Sequence, residues 1–327
     1  VIDSYQYLED QIFQIHNEEE FNRVALEVFN YQYQNSNIYR NFVDHLSINQ
    51  PKHFTAIPFL PISFFKTHTI QTIDVPAKLT FLSSGTTGSD RSSHLVNKPE
   101  LYVKSFTKTY ENFIGNPKDQ VIIGLLPNYL EQGNSSLVYM VNHLINATQS
   151  PLSQFVLHDL RKIHDLYLES LIQKKKVVII GVSYALLDLA EINLNFSEAI
   201  IIETGGMKGR RNEFSKEILH EKLKKGLKTK KIYSEYGMTE LLSQCYSIQN
   251  GLFTEPPWMK VLIREINDPF HIVENGKTGG INIIDLANLY SCSFICTQDL
   301  GKRQSNFFKI IGRFDYADQR GCNLMVE

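Results

Sequence analysis

Residues 81 to 91 read Phe81-Leu82-Ser83-Ser84-Gly85-Thr86-Thr87-Gly88-Ser89-Asp90-Arg91, a run of small and hydroxylated residues held between a hydrophobic pair and a cation. Gly85 and Gly88 let the backbone approach an anion and turn its N–H groups toward it. The hydroxyls of Ser83, Ser84, Thr86 and Thr87 add donors, and Arg91 adds a guanidinium fork. Such a loop suits a polyphosphate. It is not a Walker A loop, which would need Gly at 90 and Lys at 91 where this chain has Asp90 and Arg91. Nor is it a dinucleotide fingerprint, because no third glycine follows at a helix start. Taken alone, an ordinary polar turn is the alternative.

Three later segments carry complementary groups. Within Tyr233-Ser234-Glu235-Tyr236-Gly237-Met238-Thr239-Glu240, Tyr236 offers an aromatic face to a base, Gly237 flexibility, Thr239 a hydroxyl for a phosphate and Glu240 a carboxylate for Mg2+. Thr297-Gln298-Asp299-Leu300-Gly301 offers a carboxylate suited to two ribose hydroxyls, and Ile311-Gly312-Arg313-Phe314-Asp315 an arginine able to join it. Each has a plainer alternative: Thr239 as a helix N-cap, and common turns for the other two.

The elements that must position these groups follow from pattern. From about 118 to 236 short apolar runs alternate with amphipathic ones. Strands are expected at Val121 to Leu125, Val177 to Gly181, Ile200 to Glu203 and Lys231 to Ser234, and helices at Ser135 to Asn146, Leu160 to Gln173, Tyr184 to Ile192 and Asn212 to Lys225. That alternation predicts an α/β fold with a largely parallel sheet covered by helices, whose ligands sit beyond the carboxyl ends of the strands. Glu203-Thr204-Gly205-Gly206 and Ser234-Glu235-Tyr236-Gly237 then fall just after strands. After 250 shorter strands are expected at Val261 to Ile266, Gly280 to Asp285 and Ser293 to Cys296, with Glu274 to Gly279 as a hairpin-like connection. Upstream, Glu19 to Tyr33 lines up Phe21, Val24, Ala25, Val28 and Phe29 on one helical face. Ile57 to Lys66, interrupted by Pro58 and Pro61, reads as an extended lead-in to the loop at 83.

Composition excludes several classes. With 43% hydrophobic and 21% charged residues the chain has an ordinary globular mix, so disorder is a poor reading. A net charge of -2 leaves no basic footprint for nucleic acid. No apolar run is long enough for a membrane span. Without a basic and apolar leader at residues 1 to 10, a cytoplasmic protein is expected. The four cysteines are too few for a disulfide scaffold and complete no zinc site; Cys292 and Cys296 read as buried strand residues. His94 reads as a solvated loop histidine and His143 as a satisfied core residue.

Together, in this order, the segments over about 83 to 315 resemble the adenylate-forming superfamily of acyl-CoA synthetases and luciferase-type enzymes. Within it, the chain is most similar to the LuxE-like acyl-protein synthetases, through Pro58-Phe59-Leu60-Pro61 leading to Phe65-Lys66, the Ser-Gly-Thr-Thr-Gly loop followed by arginine, and a cysteine near the end. The resemblance implies the large-domain architecture of that superfamily, with a small C-terminal β subdomain. An adenylation-type domain is then expected over 1–312, α/β to about 250 and β over about 251–312, with a short tail over 313–327. It further implies that Ser83, Ser84, Gly85, Thr86, Thr87, Gly88 and Arg91 bind ATP phosphates, that Gly205 and Gly206 line an adenine pocket beside Tyr236 and Gly237, that Thr239 and Glu240 serve the α-phosphate and Mg2+, and that Asp299 and Arg313 hold the ribose.

The implied reaction activates a carboxylic acid of the fatty-acid class as acyl-AMP and passes the acyl group to a thiol: Cys322 first, beside Arg320, then an acyl-accepting partner protein or carrier. An acyl-CoA ligase related to phenylacetate-CoA ligases and a non-catalytic nucleotide-binding module are the alternatives. The chain departs from the superfamily in two places. Gln298 precedes Asp299 where many members have glycine, and the chain stops 14 residues after Arg313, leaving no room for the mobile C-terminal domain that brings a catalytic lysine in acyl-CoA ligases.

Overall fold

The computed structural model describes residues 5–47, 50–83, 91–126, 133–205, 215–248 and 250–314. Among the expected site residues, Ser84, Gly85, Thr86, Thr87, Gly88, Gly206 and Cys322 lie outside the described residues.

A six-stranded sheet forms the centre. Its strands are β4 (Gln120–Leu125), β5 (Gln154–Phe155), β6 (Lys176–Val182), β7 (Ile200–Thr204), β8 (Ile232–Tyr236) and β9 (Cys245–Ser247), ordered β5-β4-β6-β7-β8-β9 and parallel except for β9. Val121 to Ile123, Val177 to Ile180 and Ile201 to Ile202 are buried along their lengths. Such unbroken β-branched runs suit strands covered by helices on both faces. The covering helices include Pro99–Phe113, Ser136–Ala147, Leu160–Ile172, Ser183–Glu191 and Lys216–Leu227. Side chains cap several of them: Ser135, Asp159 and Ser215 accept from the N–H groups of Val138, Lys162 and Ile218. Two helices touch at Gly226, where a Cβ would fall 2.5 Å from the Ala190 carbonyl oxygen. Each expected element of this region is present; the helix start expected at Asn212 lies outside the described residues, and other ends shift by a few residues.

A second sheet is built from β1 (Leu60–Pro61), β10 (Met259–Arg264), β11 (Thr278–Asp285), β12 (Phe294–Gln304) and β13 (Phe307–Arg313). β10, β11, β12 and β13 pair in antiparallel succession, and β1 joins the start of β12 in parallel, Leu60 opposite Ile295. A separate hairpin of β2 (Leu79–Leu82) and β3 (Ser93–Val96) sets Leu82 opposite Ser93 and so carries both ends of the 83–92 loop. The helix Glu18–Asn35 packs on the second sheet. Phe29 meets Tyr39 and Phe294, and the buried Gln32 amide donates to the carbonyls of Asn288 and Leu289 at 3.0 and 2.9 Å. Among the described residues no helix is long and apolar enough to cross a membrane.

The structure corrects several expectations. Ile57 to Lys66 is not simply a lead-in to the loop: Leu60–Pro61 is a strand of the second sheet, and Phe64–Thr67 turns helical once past Pro61. Glu203, Thr204 and the segment from Ser234 to Tyr236 are the last residues of β7 and β8 rather than the turns after them. The segments at 297–301 and 311–313 are strand, not turn. Thr239 caps no helix; the chain stays in turns there. Cys292 is buried but precedes β12, while Cys296 lies within it and is only half-buried. Of the connection expected at Glu274 to Gly279, Thr278 and Gly279 belong to β11.

Candidate active site

The two sheets converge on Asp299. Its carboxylate, 6% exposed, accepts from the Tyr236 hydroxyl at 2.7 Å through Oδ2 and from Arg313 Nε at 2.9 Å through Oδ1. Tyr236 is the last residue of β8 in the central sheet; Asp299 and Arg313 are opposite one another on β12 and β13. Two irregularities set this geometry. Between the pairs Gly280–Leu300 and Asn282–Cys296, β12 carries two more residues than β11, and just beyond Leu300 the β12–β13 register shifts again. Bulges of this kind bend a strand and re-aim a side chain. Beneath the first, Thr297 Oγ1 donates to the Ile281 carbonyl at 2.8 Å and accepts from the Asp299 N–H at 3.1 Å. The buried Arg264 bonds the carbonyls of Ile281 and Thr297.

The Tyr236 ring lies edge-on to Phe253 and Phe308, each 6.0 Å away. Burial, with the neighbouring Asp299 carboxylate, raises its hydroxyl well above the usual range, so it stays a donor. Gly237 follows where a Cβ would fall 2.5 Å from Glu235 Oε1, so its lack of a side chain makes room for that carboxyl.

Glu240 is 5% exposed. Burial pushes its carboxyl up, against a hydrogen bond from Ser92 and the pull of Arg313. Ser92 belongs to the other side of the site. Its N–H donates to Ser83 Oγ at 2.9 Å, its carbonyl accepts from the Ser83 N–H at 3.0 Å, and Arg91 Nε donates to the Ser83 carbonyl at 2.5 Å. The ends of the 83–92 loop are thus tied together and reach Glu240 through Ser92.

Beyond Glu240 the chain is held by Asp285, whose carboxylate accepts from the N–H groups of Leu242 and Ser243 at 2.7 and 2.9 Å and from the Ser243 hydroxyl at 2.6 Å. At the end of β7, Ser183 Oγ sits 2.7 Å from Glu203 Oε1 and 2.8 Å from the carbonyl of Gly205, which has φ +70°. Burial would raise the Glu203 carboxyl, but Lys216 at 3.2 Å, with His220 and Ser183, overcomes it and holds the group down at about 2. Among the described residues no cation is paired with its neighbour Glu235. Burial, offset by a hydrogen bond from Thr204 and reinforced by Glu203, pushes it up to about 7.

The family model for acyl-protein synthetase, LuxE, matches residues 10–327. The chain belongs to the LuxE acyl-protein synthetase family. Among solved structures it resembles ATP-bound MatB from Rhodopseudomonas palustris, with a TM-score of 0.55 and 19% identity over 74% of this chain and 50% of that one. It also resembles a 2-hydroxyisobutyryl-CoA ligase in complex with 2-HIB-AMP and CoA, with a TM-score of 0.63 and 13% identity over 92% and 72% of the two chains. A third likeness is to the MenE O-succinylbenzoate coenzyme A synthetase of Bacillus subtilis with ATP and magnesium, at 0.51, 18%, 74% and 53%. At these identities the likeness is one of fold, and the chain spans about half the length of MatB and MenE. The expected adenylate-forming architecture is borne out. Among curated proteins none matches.

Of the site residues expected from sequence and described here, Tyr236, Asp299 and Arg313 are in direct contact, Glu240 lies near Arg313 and Ser92, and Ser83 and Arg91 touch each other. Sequence reasoning missed Ser92, Ser183, Asp285 and Asn288. It also misjudged His94, which is not a solvated loop residue but a fully buried one on β3. Alternation along Ser93–Val96, with His94 and Val96 inward, was the available signal. His143 is half-buried, edge-on to Phe106 in an open groove rather than in the core.

Proposed function

We propose that this LuxE family member condenses a carboxylic acid of the fatty-acid class with ATP to give acyl-AMP and pyrophosphate, then passes the acyl group to a thiol. In the first step a carboxylate oxygen attacks the α-phosphorus and the bond to pyrophosphate breaks. In the second a thiolate attacks the acyl carbon and AMP leaves with the electron pair.

Support for an adenosine site rests above all on Asp299, a buried carboxylate of the second sheet that binds Tyr236 of the central sheet through one oxygen and Arg313 of the neighbouring strand through the other. Asp299 and Arg313 would hold the ribose. Gly205 and Gly206 would line the adenine beside Tyr236 and Gly237, and Thr239 would donate to the α-phosphate. Ser83, Ser84, Gly85, Thr86, Thr87, Gly88 and Arg91 would surround the remaining phosphates and stabilise the charge that gathers there in the transition state.

Glu240 fits a divalent cation, because a carboxyl raised by burial gains by one beside it. Glu240 would hold Mg2+, which would supply positive charge to offset that of the triphosphate.

Cys322, beside Arg320, is the proposed first acceptor, with a partner protein or carrier after it. The test is labelling with a radioactive long-chain acid and ATP. Label should appear on the protein, be released by hydroxylamine and be absent from Cys322→Ser, which still forms acyl-AMP. Equal labelling of the variant would remove Cys322 from the pathway. The likeness to a ligase bound to 2-HIB-AMP and CoA favours CoA as the second candidate acceptor, for which turnover would need CoA and leave no stable acyl-protein.

A further inference from the structure

His94 is fully buried, yet no part of the adenylation chemistry above uses it. Its ring stands edge-on to Phe65 at 5.7 Å and is fixed at both nitrogens: Nδ1 lies 2.7 Å from the Thr239 carbonyl oxygen and Nε2 lies 2.9 Å from Asn288 Oδ1. Asn288, also fully buried, spends its amide nitrogen on the carbonyls of Glu240 and Cys292, at 2.8 and 2.9 Å. Those two acceptors fix which end of the amide carries nitrogen, so the amide oxygen must face the histidine.

Burial holds the ring neutral, with a pKa lowered to about 4, so only one of its two nitrogens carries an N–H to donate. The shorter contact is to Thr239. His94 lies three residues beyond Arg91, on the strand leaving the 83–92 loop, while Thr239 and Glu240 lie on the loop after β8. Through this ring the two halves of the site are bonded to each other, and Asn288 bonds the Glu240 half to the segment after β11.

We infer that His94 is a positioning residue for the adenylation step, its Nδ1–H holding the Thr239 carbonyl while Asn288 holds that of Glu240, so that the Thr239 hydroxyl and Glu240 carboxylate keep a fixed distance from Ser83, Arg91 and Ser92. The assignment rests on the proposed roles of Thr239 and Glu240. It differs from a packing role because it requires one particular hydrogen bond.

The experiment exploits amide geometry: the nitrogen of an asparagine at 94 overlays Nδ1, whereas that of a glutamine overlays Nε2. In ATP–pyrophosphate exchange with a competent acid, H94N should keep kcat within about threefold of the unsubstituted chain. H94Q should lose about tenfold or more in kcat, with a smaller change in KM for ATP, the cost of one broken buried hydrogen bond at the reacting centre. Asn288→Asp, which turns an acceptor toward the Glu240 carbonyl, should lose at least as much. Melting temperatures are measured alongside. Equal losses in H94N and H94Q that follow their melting temperatures, or no loss in either, would overturn the assignment alone. No exchange by the unsubstituted chain with any acid would instead contradict the adenylation reading and the assignment with it.

Discussion

Asp299 has two carboxylate oxygens, and each is engaged by a neighbour of different character. Tyr236 is half-buried and kept protonated by its surroundings, while the Arg313 side chain is 78% exposed on the edge strand. The exposed partner contributes little to folding, since ion pairs in water are worth at most about 1 kcal/mol. In the proposed function its value lies in presenting a guanidinium to a bound nucleotide. Asp299→Ala should therefore raise the KM for ATP by roughly ten- to a hundredfold, the cost of a lost hydrogen bond to a charged group, as measured by exchange kinetics across ATP concentrations. Arg313→Lys keeps the charge but loses the fork; it should raise the same KM only a few-fold and leave the melting temperature within about a degree. A large loss of stability in Arg313→Lys would contradict an arginine kept for ligand binding.

At the scale of the element, the reach of Asp299 depends on the irregular stretch of β12. A regular ladder would carry Thr297, Gln298 and Asp299 past β11 in alternation; the two additional residues at the bulge place them opposite Ile281, with Thr297 Oγ1 bridging Ile281 and Asp299. Thr297→Val preserves shape and removes both hydrogen bonds, leaving the Asp299 N–H without its partner and the Ile281 carbonyl to Arg264 alone. Destabilisation of about 1–3 kcal/mol is expected in urea unfolding, together with a higher KM for ATP because Asp299 is no longer held. Unchanged KM in a destabilised protein would mean that the bulge is set by Arg264 alone. This is also where sequence reasoning stopped. The strands of the central sheet were readable because Val177 to Ile180 and Ile201 to Ile202 form unbroken apolar runs. A bulge leaves no such trace, so Thr297 to Gly301 looked like a turn. His94 was misread for a related reason: it is buried by Thr239 and Asn288, 145 and 194 residues away, and neither proximity is written in its local sequence.

Across the whole molecule, buried acids under the site give stability a distinct pH dependence. Glu235 has its folded pKa raised to about 7 and Asp285 to about 6, so the folded state binds more protons than the unfolded one between about pH 4 and 7, and stability falls as pH rises through that window. Glu203, depressed to about 2 by Lys216, has the opposite sign: its contribution is present above about pH 4.5 and is lost as pH falls toward 2. Glu235→Gln mimics the neutral acid, and should flatten thermal stability between pH 5 and 8 and gain up to about 3 kcal/mol over the unsubstituted chain at the upper end. Parallel melting curves for the two proteins across that range would contradict a buried, protonated Glu235. The same assembly of two sheets and one hairpin, with Asp299 from one, Tyr236 and Glu240 from another and Ser83 and Arg91 from the third, is what the adenylation account requires of the fold. Acid-dependent exchange of pyrophosphate into ATP, run across carboxylic acids of increasing chain length with Glu240→Gln in parallel, tests it most directly. The account predicts exchange with a subset of acids and its loss in the variant; ATP binding without exchange for any acid would contradict it.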